Sequence, residues 1–287
     1  MLSNPLFNCK NKDCYPPFKE GLYLEEYCIK RYFEENKNYK RVYIPVKWTN
    51  FQIEDWFESK KKEMQQILDD WIKNNPSDTG YFTIVQHDDG PLLRLPENTI
   101  VYGCCSGNIP IPLIYEDLSN KLDNEIKVNF NDKKILCSFV GTLTNSVRYE
   151  IVNNFYNNSN FFFNVSQSWS PVVEKNKQDN FINITKYSKF ALAPRGYGRS
   201  SFRFYEIFKL GTIPIYVWND TEWLPYKDIL DYSKFCISIN IKDIVNLESI
   251  LLGIDEKKYN SMLSEYNKIK HFFDLNSMYE YIMYQNF

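Results

Sequence analysis

A chain of 287 residues with 44% hydrophobic, 17% aromatic and 24% charged content of both signs carries enough apolar mass for two domains and too much for a disordered tail. Its formal net charge of -2 supplies no basic field for nucleic acid or an anionic membrane. No run approaches the roughly 18 apolar residues of a spanning helix, and the N-terminus lacks a basic, apolar leader pattern, so the expectation is a soluble, cytoplasmic chain without a membrane span.

Helical spacing of apolar residues marks 22–33 and 51–72, with a short β-rich run at 42–46 between them. Strand-like runs follow at 81–86 and 99–103, and Ile109-Pro110-Ile111-Pro112 is read as a break in regular structure. The polar stretch 119–134 holds the expected boundary near residue 128, giving lobes 1–128 and 129–254. Strands are expected at 135–140, 161–165, 190–193, 213–217 and 235–239, mostly with helices between them, and 255–287 as a helical segment returning toward the first lobe. Strands alternating with helices predict an α/β fold with mostly parallel sheets, whose ligands sit beyond the carboxyl ends of the strands. Seven scattered cysteines and two histidines, His87 and His271, argue against a disulfide framework or a zinc set. Cys9 and Cys14 are read as free thiols, with a pair as the alternative.

The strongest chemical signal follows the strand at 190–193. Pro194-Arg195-Gly196-Tyr197-Gly198-Arg199-Ser200-Ser201 is a glycine-containing basic loop leading into a helix at 202–210. Free amides and the positive dipole end at such a helix start attract an anion, and Ser200 or Ser201 is placed to cap it. Arg195, Arg199 and Arg203 can grip phosphate oxygens in a bidentate way. A competing reading pairs Arg203 with Glu206 at i, i+3. The loop matches neither the phosphate loop of ATPases nor the dinucleotide fingerprint.

Phe190-Ala191-Leu192-Ala193-Pro194-Arg195-Gly196, then Ser201-Phe202-Arg203-Phe204-Tyr205-Glu206, then Gly211-Thr212-Ile213-Pro214-Ile215 and Leu224-Pro225-Tyr226 resembles the signature of the exostosin glycosyltransferase family. Weaker similarity runs through Ser138-Phe139-Val140-Gly141 with Arg148, and through 81–90. The resemblance implies a GT-B architecture of two facing Rossmann-like lobes, with the acceptor on the first and the nucleotide sugar on the second. It also implies an inverting transfer with no metal or other cofactor. In keeping with that, the second lobe has no Asp-x-Asp, and the adjacent aspartates Asp69-Asp70 and Asp88-Asp89 both fall in the first.

By the same resemblance Arg195, Arg148, Gly141, Gly196, Ser201, Arg203 and Arg199 form the diphosphate pocket, and Glu206 holds the ribose hydroxyls. Gln86-His87-Asp88-Asp89-Gly90 looks like the family's His-Asp-x-Gly turn, making Asp88 the base, with His87 or Asp89 as alternatives and an ordinary Asp-Gly turn as the plain one. Trp223 is a donor-side candidate. The expected partners are a nucleotide diphosphate sugar, UDP-linked with xylose, galactose or glucuronate as examples, and an oligosaccharide hydroxyl. The oligomeric state is left open. Alternatives are a GDP-sugar enzyme of the fucosyl type, or a glycan-binding protein of the same fold that has lost turnover.

Overall fold

Five residues of unbroken apolar and β-branched character, Tyr81–Val85, form a strand buried on both faces, as parallel strands covered by helices are. This is β2 of a computed structural model that describes residues 1, 3–11 and 15–287. It pairs in parallel with β1 (Val42–Tyr43) and β3 (Thr99–Gly103), and β3 pairs with β4 (Ile109–Pro110), giving the order β1-β2-β3-β4. Around this sheet are α1 (Leu24–Glu35), α2 (Trp48–Gln52), α3 (Phe57–Asn74) and α9 (Leu275–Gln285). The Trp48 indole donates to Thr83 Oγ1 at 2.8 Å, and the Thr83 hydroxyl donates to the Ile44 carbonyl, so these two buried donors are paired.

The second sheet is built from β5 (Ile135–Thr142), β6 (Phe161–Ser166), β7 (Ser188–Pro194), β8 (Ile213–Trp218) and β9 (Ile237–Asn240), all parallel, in the order β6-β5-β7-β8-β9. Its helices are α4 (Ser146–Phe155), α5 (Lys175–Lys186), α6 (Phe202–Lys209), α7 (Leu247–Leu252) and α8 (Glu256–Ile269). Phe139, Phe190, Leu192, Ile215 and Val217 from the strands join Tyr259 and Met262 of α8 in one core. Burial of each such side chain stabilises the unit by about 1.5–3 kcal/mol. With β5 counted first, the order is second, first, third, fourth, fifth, so the direction of winding reverses between β5 and β7.

Four expectations change in the structure. The segment 51–72 is two helices, because Phe51 and Phe57 both enter the same core and contact at 5.5 Å. A continuous helix of about 3.6 residues per turn would put them on different faces. Ile109-Pro110 is a strand, not a break: it lies at the sheet edge, where proline's missing N–H leaves no ladder bond unmade. The segment 255–287 divides at a 3-10 turn (Lys270–Phe273), after which Asp274 caps α9 by accepting from the Ser277 amide.

The chain also crosses between units at four places in place of one near residue 128. The first unit gathers Met1–Asp13, Gly21–Glu116 and Asp274–Phe287, and the second Cys14–Glu20 and Asp117–Phe273. Within the second, Asp117 is ion-paired to Lys209 at 3.1 Å, and Phe18 contacts Phe181 at 5.7 Å. Among the described residues no helix is long and apolar enough to cross a membrane. Cys28, Cys104, Cys137 and Cys236 are buried free thiols, Cys105 is buried and Cys9 half-buried; Cys14 lies outside the described residues.

In the second unit, Lys133 is buried at 3% exposure with no carboxylate partner among the described residues; its amine donates to the Lys186 carbonyl at 2.7 Å and to Thr212 Oγ1 at 2.9 Å. Burial, aided by the nearby positive charge of Lys127, brings its pKa from the ordinary 10.5 down to about 7. The folded state therefore binds fewer protons than the unfolded one between these values, and stability is gained as pH rises through that window. In chemical denaturation from about pH 7 to about pH 10, the wild type should gain stability relative to Lys133→Met, whose curve lacks this rise.

Candidate anion-binding site

The reversal between β5 and β7 leaves a gap at the carboxyl ends of these strands, and α4 begins just beyond it. Asn145 caps α4 by accepting from the Val147 amide, which fixes the first turn and with it Arg148. The Arg148 guanidinium is buried and spans the gap. Its Nη1 donates to the Thr142 carbonyl at 2.7 Å, its Nε to the Arg195 carbonyl at 3.0 Å and its Nη2 to the Pro194 carbonyl at 3.3 Å. Three of its five N–H donors thus hold backbone at the ends of β5 and β7. Gly196 is beside it, and a Cβ there would meet Arg148 Nη2 at 3.0 Å.

Arg203 approaches the same place from the first turn of α6. Its guanidinium lies 5.3 Å from the Phe139 ring centroid, while Arg148 lies 5.7 Å from that ring, so one buried phenylalanine of β5 supports both cations. Phe181 faces Arg203 at 5.9 Å. Gly141 makes room: a Cβ there would come within 2.5 Å of Arg203 Nη2. The Nε of Arg203 is buried without a hydrogen-bond partner among the described residues. Ser201 occupies the N-cap position of α6, but no side chain caps this helix, in contrast to the expected serine cap, and its first turn has no acidic residue. Glu206 is buried on the same helix.

Arg195 and Arg199 are differently placed. Arg195 Nη1 donates to Asp220 Oδ1 at 2.9 Å and to Asn219 Oδ1 at 3.0 Å, and its Nη2 to the Tyr197 carbonyl at 2.8 Å. Arg199 Nε donates to Asp220 Oδ2 at 2.9 Å, and its guanidinium lies 5.5 Å from the Trp223 ring centroid. The Tyr216 hydroxyl donates to the Arg199 carbonyl and accepts from the Trp223 amide, fastening the loop to the end of β8. Burial acts to raise the Asp220 carboxyl, but the Thr221 amide, Arg199 and Arg195 outweigh it and hold the group down at about 2.

The first unit carries the other expected residues. The Gln86-to-Gly90 turn ends β2, with the Gly90 amide donating to the His87 carbonyl at 3.1 Å and Gly90 at φ +77°, a left-handed position suited to glycine. His87 Nδ1 accepts from the Asp89 amide at 3.2 Å. Burial lowers the His87 pKa below its ordinary 6.5 against the opposing pull of Asp88 and Asp89. Under this turn is a residue that the sequence reading did not single out. Glu25 is buried, and its carboxylate accepts from the Gln86 amide at 2.7 Å, the Thr49 amide at 3.0 Å and the Thr49 hydroxyl at 3.0 Å. Burial raises its pKa to about 7 despite these donors.

Gly141, Arg148, Arg195, Gly196 and Arg203 are therefore brought together at the β5/β7 reversal, Arg199 joins them through Asp220, and Ser201 and Glu206 share the helix of Arg203. His87 and Asp88 form a separate turn in the first unit. Asp220 was also missed, although it follows a strand carboxyl end, where ligands of such sheets are expected. Glu25 reads in sequence as an ordinary acidic residue in the first turn of a helix.

A parallel sheet flanked by helices and wound in this order belongs to the doubly wound, Rossmann-like α/β class, whose ligands sit at the winding reversal. Residues 97–254 match the family described as the Exostosin GT47 domain, and the chain belongs to that family. A protein of Arabidopsis thaliana named "Probable glycosyltransferase" is 25% identical over 224 residues, 72% of this chain and 44% of that protein. A second Arabidopsis protein with the same description is 30% identical over 113 residues, 35% of this chain and 22% of its own length. A Caenorhabditis elegans "Exostosin-1 homolog" is 27% identical over 75 residues, 26% of this chain and 19% of that protein. The chain spans less than half the length of these curated relatives.

Because lysine cannot reach three carbonyls at once, Arg148→Lys should lower the free energy of unfolding by about 2–4 kcal/mol in urea, with the secondary structure seen by circular dichroism retained.

Proposed function

We propose that this chain is a glycosyltransferase that moves a sugar from a nucleotide diphosphate sugar, UDP-linked, to a hydroxyl of a glycan, with inversion at the anomeric carbon and no metal ion. The observation that carries this reading is Arg203: a guanidinium whose buried Nε has no hydrogen-bond partner among the described residues, beside Gly141 and at the start of a helix that no side chain caps. An unpartnered buried donor costs stability unless a ligand completes it. Diphosphate oxygens supply the acceptors.

In this reading the acceptor oxygen bonds to the anomeric carbon as the bond from that carbon to the β-phosphate oxygen breaks. The electron pair leaves with the diphosphate, whose growing charge is met by Arg203, Arg195, Arg199 and the amides at the start of α6. Arg148 acts through the backbone, fixing the strand ends between which the phosphates lie. Gly141 and Gly196 keep the space open, Ser201 offers a hydroxyl at the helix start, and Glu206 is assigned to the ribose hydroxyls. Asp88 takes the acceptor proton, with His87 as the alternative base. The names of the relatives support the reaction class, and the match of residues 97–254 supports assigning the donor to the second unit.

Thermal-shift titration in EDTA tests the donor half. UDP and UDP-sugars should stabilise the wild type by about 2.7 kcal/mol at a hundredfold excess over Kd. Arg203→Ala should lose the shift, and Gly141→Ala, which displaces that guanidinium, should weaken UDP by about tenfold or more. Stabilisation by GDP compounds alone would move the chain to the GDP-sugar class, and a shift that appears only with a divalent cation would overturn the metal-free assignment. Asp88→Asn tests the other half: kcat for transfer should fall about 100-fold or more with the UDP shift intact, whereas unchanged turnover would remove Asp88 from the mechanism.

A further inference from the structure

The second unit contains an anion already in place. Asp220 spans two guanidinium groups, one carboxylate oxygen on Arg195 Nη1 and the other on Arg199 Nε, each at 2.9 Å. A phosphate with two oxygens turned toward the same arginines would make equivalent charge-assisted bonds. The exposures order the parts: the Arg195 side chain is 14% exposed, Arg199 31% and Asp220 40%, so the carboxylate is the outermost member. Both arginines also have other supports. Arg195 retains Asn219 Oδ1 and the Tyr197 carbonyl, and Arg199 retains the face of Trp223. Among the described residues Arg203 has no ion pair of this kind.

Resting on the donor pocket proposed above, we infer that Asp220 is an internal substitute for one phosphate of the donor, displaced when a diphosphate binds and returning when it leaves. The pocket without donor then presents one guanidinium without a carboxylate among the described residues, Arg203, and two that share a single carboxylate, which offsets half of their charge. A single phosphate that answers the first has no second phosphoryl group to exchange for the carboxylate on the others. A diphosphate has a second phosphoryl group with which to do so, and its binding is an exchange of one anion for another. Asp220 thus sets both the affinity and the preference for diphosphate over monophosphate. It holds its resting position by partly exposed ion pairs, which are weak enough to be traded.

Asp220→Asn is a near-isosteric test. The amide oxygen still accepts from the Thr221 amide, which Asp220 Oδ1 accepts at 2.7 Å, so the loop after β8 is retained, as equal melting temperatures would verify. Calorimetric titration of the full chain with sodium pyrophosphate, sodium phosphate and UDP at fixed ionic strength gives the result. The variant should bind pyrophosphate and UDP about three- to tenfold tighter than the wild type, and its preference for pyrophosphate over phosphate should narrow. Weaker binding would show that Asp220 positions the arginines for the ligand, and equal binding that it does not compete; either overturns the inference while leaving the donor pocket intact. If neither protein binds pyrophosphate or UDP, the donor pocket itself fails and this inference with it.

Discussion

Where two neighbouring parallel strands of the second unit end, one buried guanidinium gathers backbone carbonyls from both. Arg148 reaches from α4 to carbonyls of both β5 and β7. Much else at the site depends on this bridge. It fixes the Pro194-Arg195-Gly196 backbone, so it also sets where the Arg195 side chain starts. It crowds position 196, where a Cβ would lie 3.0 Å from Nη2, and shares with Arg203 the ring of Phe139. Arg148 is thus a frame for the loop that carries Arg195.

That frame creates an uneven electrostatic surface. Arg195 and Arg199 are held in solvent-accessible ion pairs with Asp220, whereas Arg203 is supported by two aromatic rings and has an unsatisfied Nε. Cations over ring faces keep their hydrogen-bonding edges available, which a carboxylate partner would occupy. In the first unit the solution is of another kind. A buried carboxylate, Glu25, receives the amide at which β2 becomes the His87-Asp88 turn, and so ties the position of that turn to the first helix.

Much of this was legible in the sequence because parallel strands buried on both faces appear as apolar runs, and those runs placed most of the strands within a residue or two. The loop from Pro194 to Ser201 was readable because glycine, arginine and a helix start coincide there. Other features were hidden for identifiable reasons. Phe51 and Phe57 fit one helical pattern locally and become inconsistent with it only when both must enter the same core. Ile109-Pro110 looked like a break because proline is excluded from central strands, and whether a strand is at the edge is a property of the sheet. The role of Arg148 depends on carbonyls 46 and 47 residues away along the chain, and the partnership of Asp220 with Arg195 and Arg199 arises because β7 and β8 are neighbours. Such relations are set by strand order, which spacing does not encode.

The last helix has a consequence for how the chain comes into being. The first unit takes in α9, whose Asn286 amide donates to the Tyr102 hydroxyl and whose Tyr279 lies against Arg31. Nearly the whole second unit, residues 117–273, lies between that helix and the rest of the first. During synthesis the ribosome therefore releases every strand of the second sheet before it releases the piece that completes the first. The unit that begins the chain is the later of the two to be finished, and until then it must persist with the surface reserved for α9 uncovered.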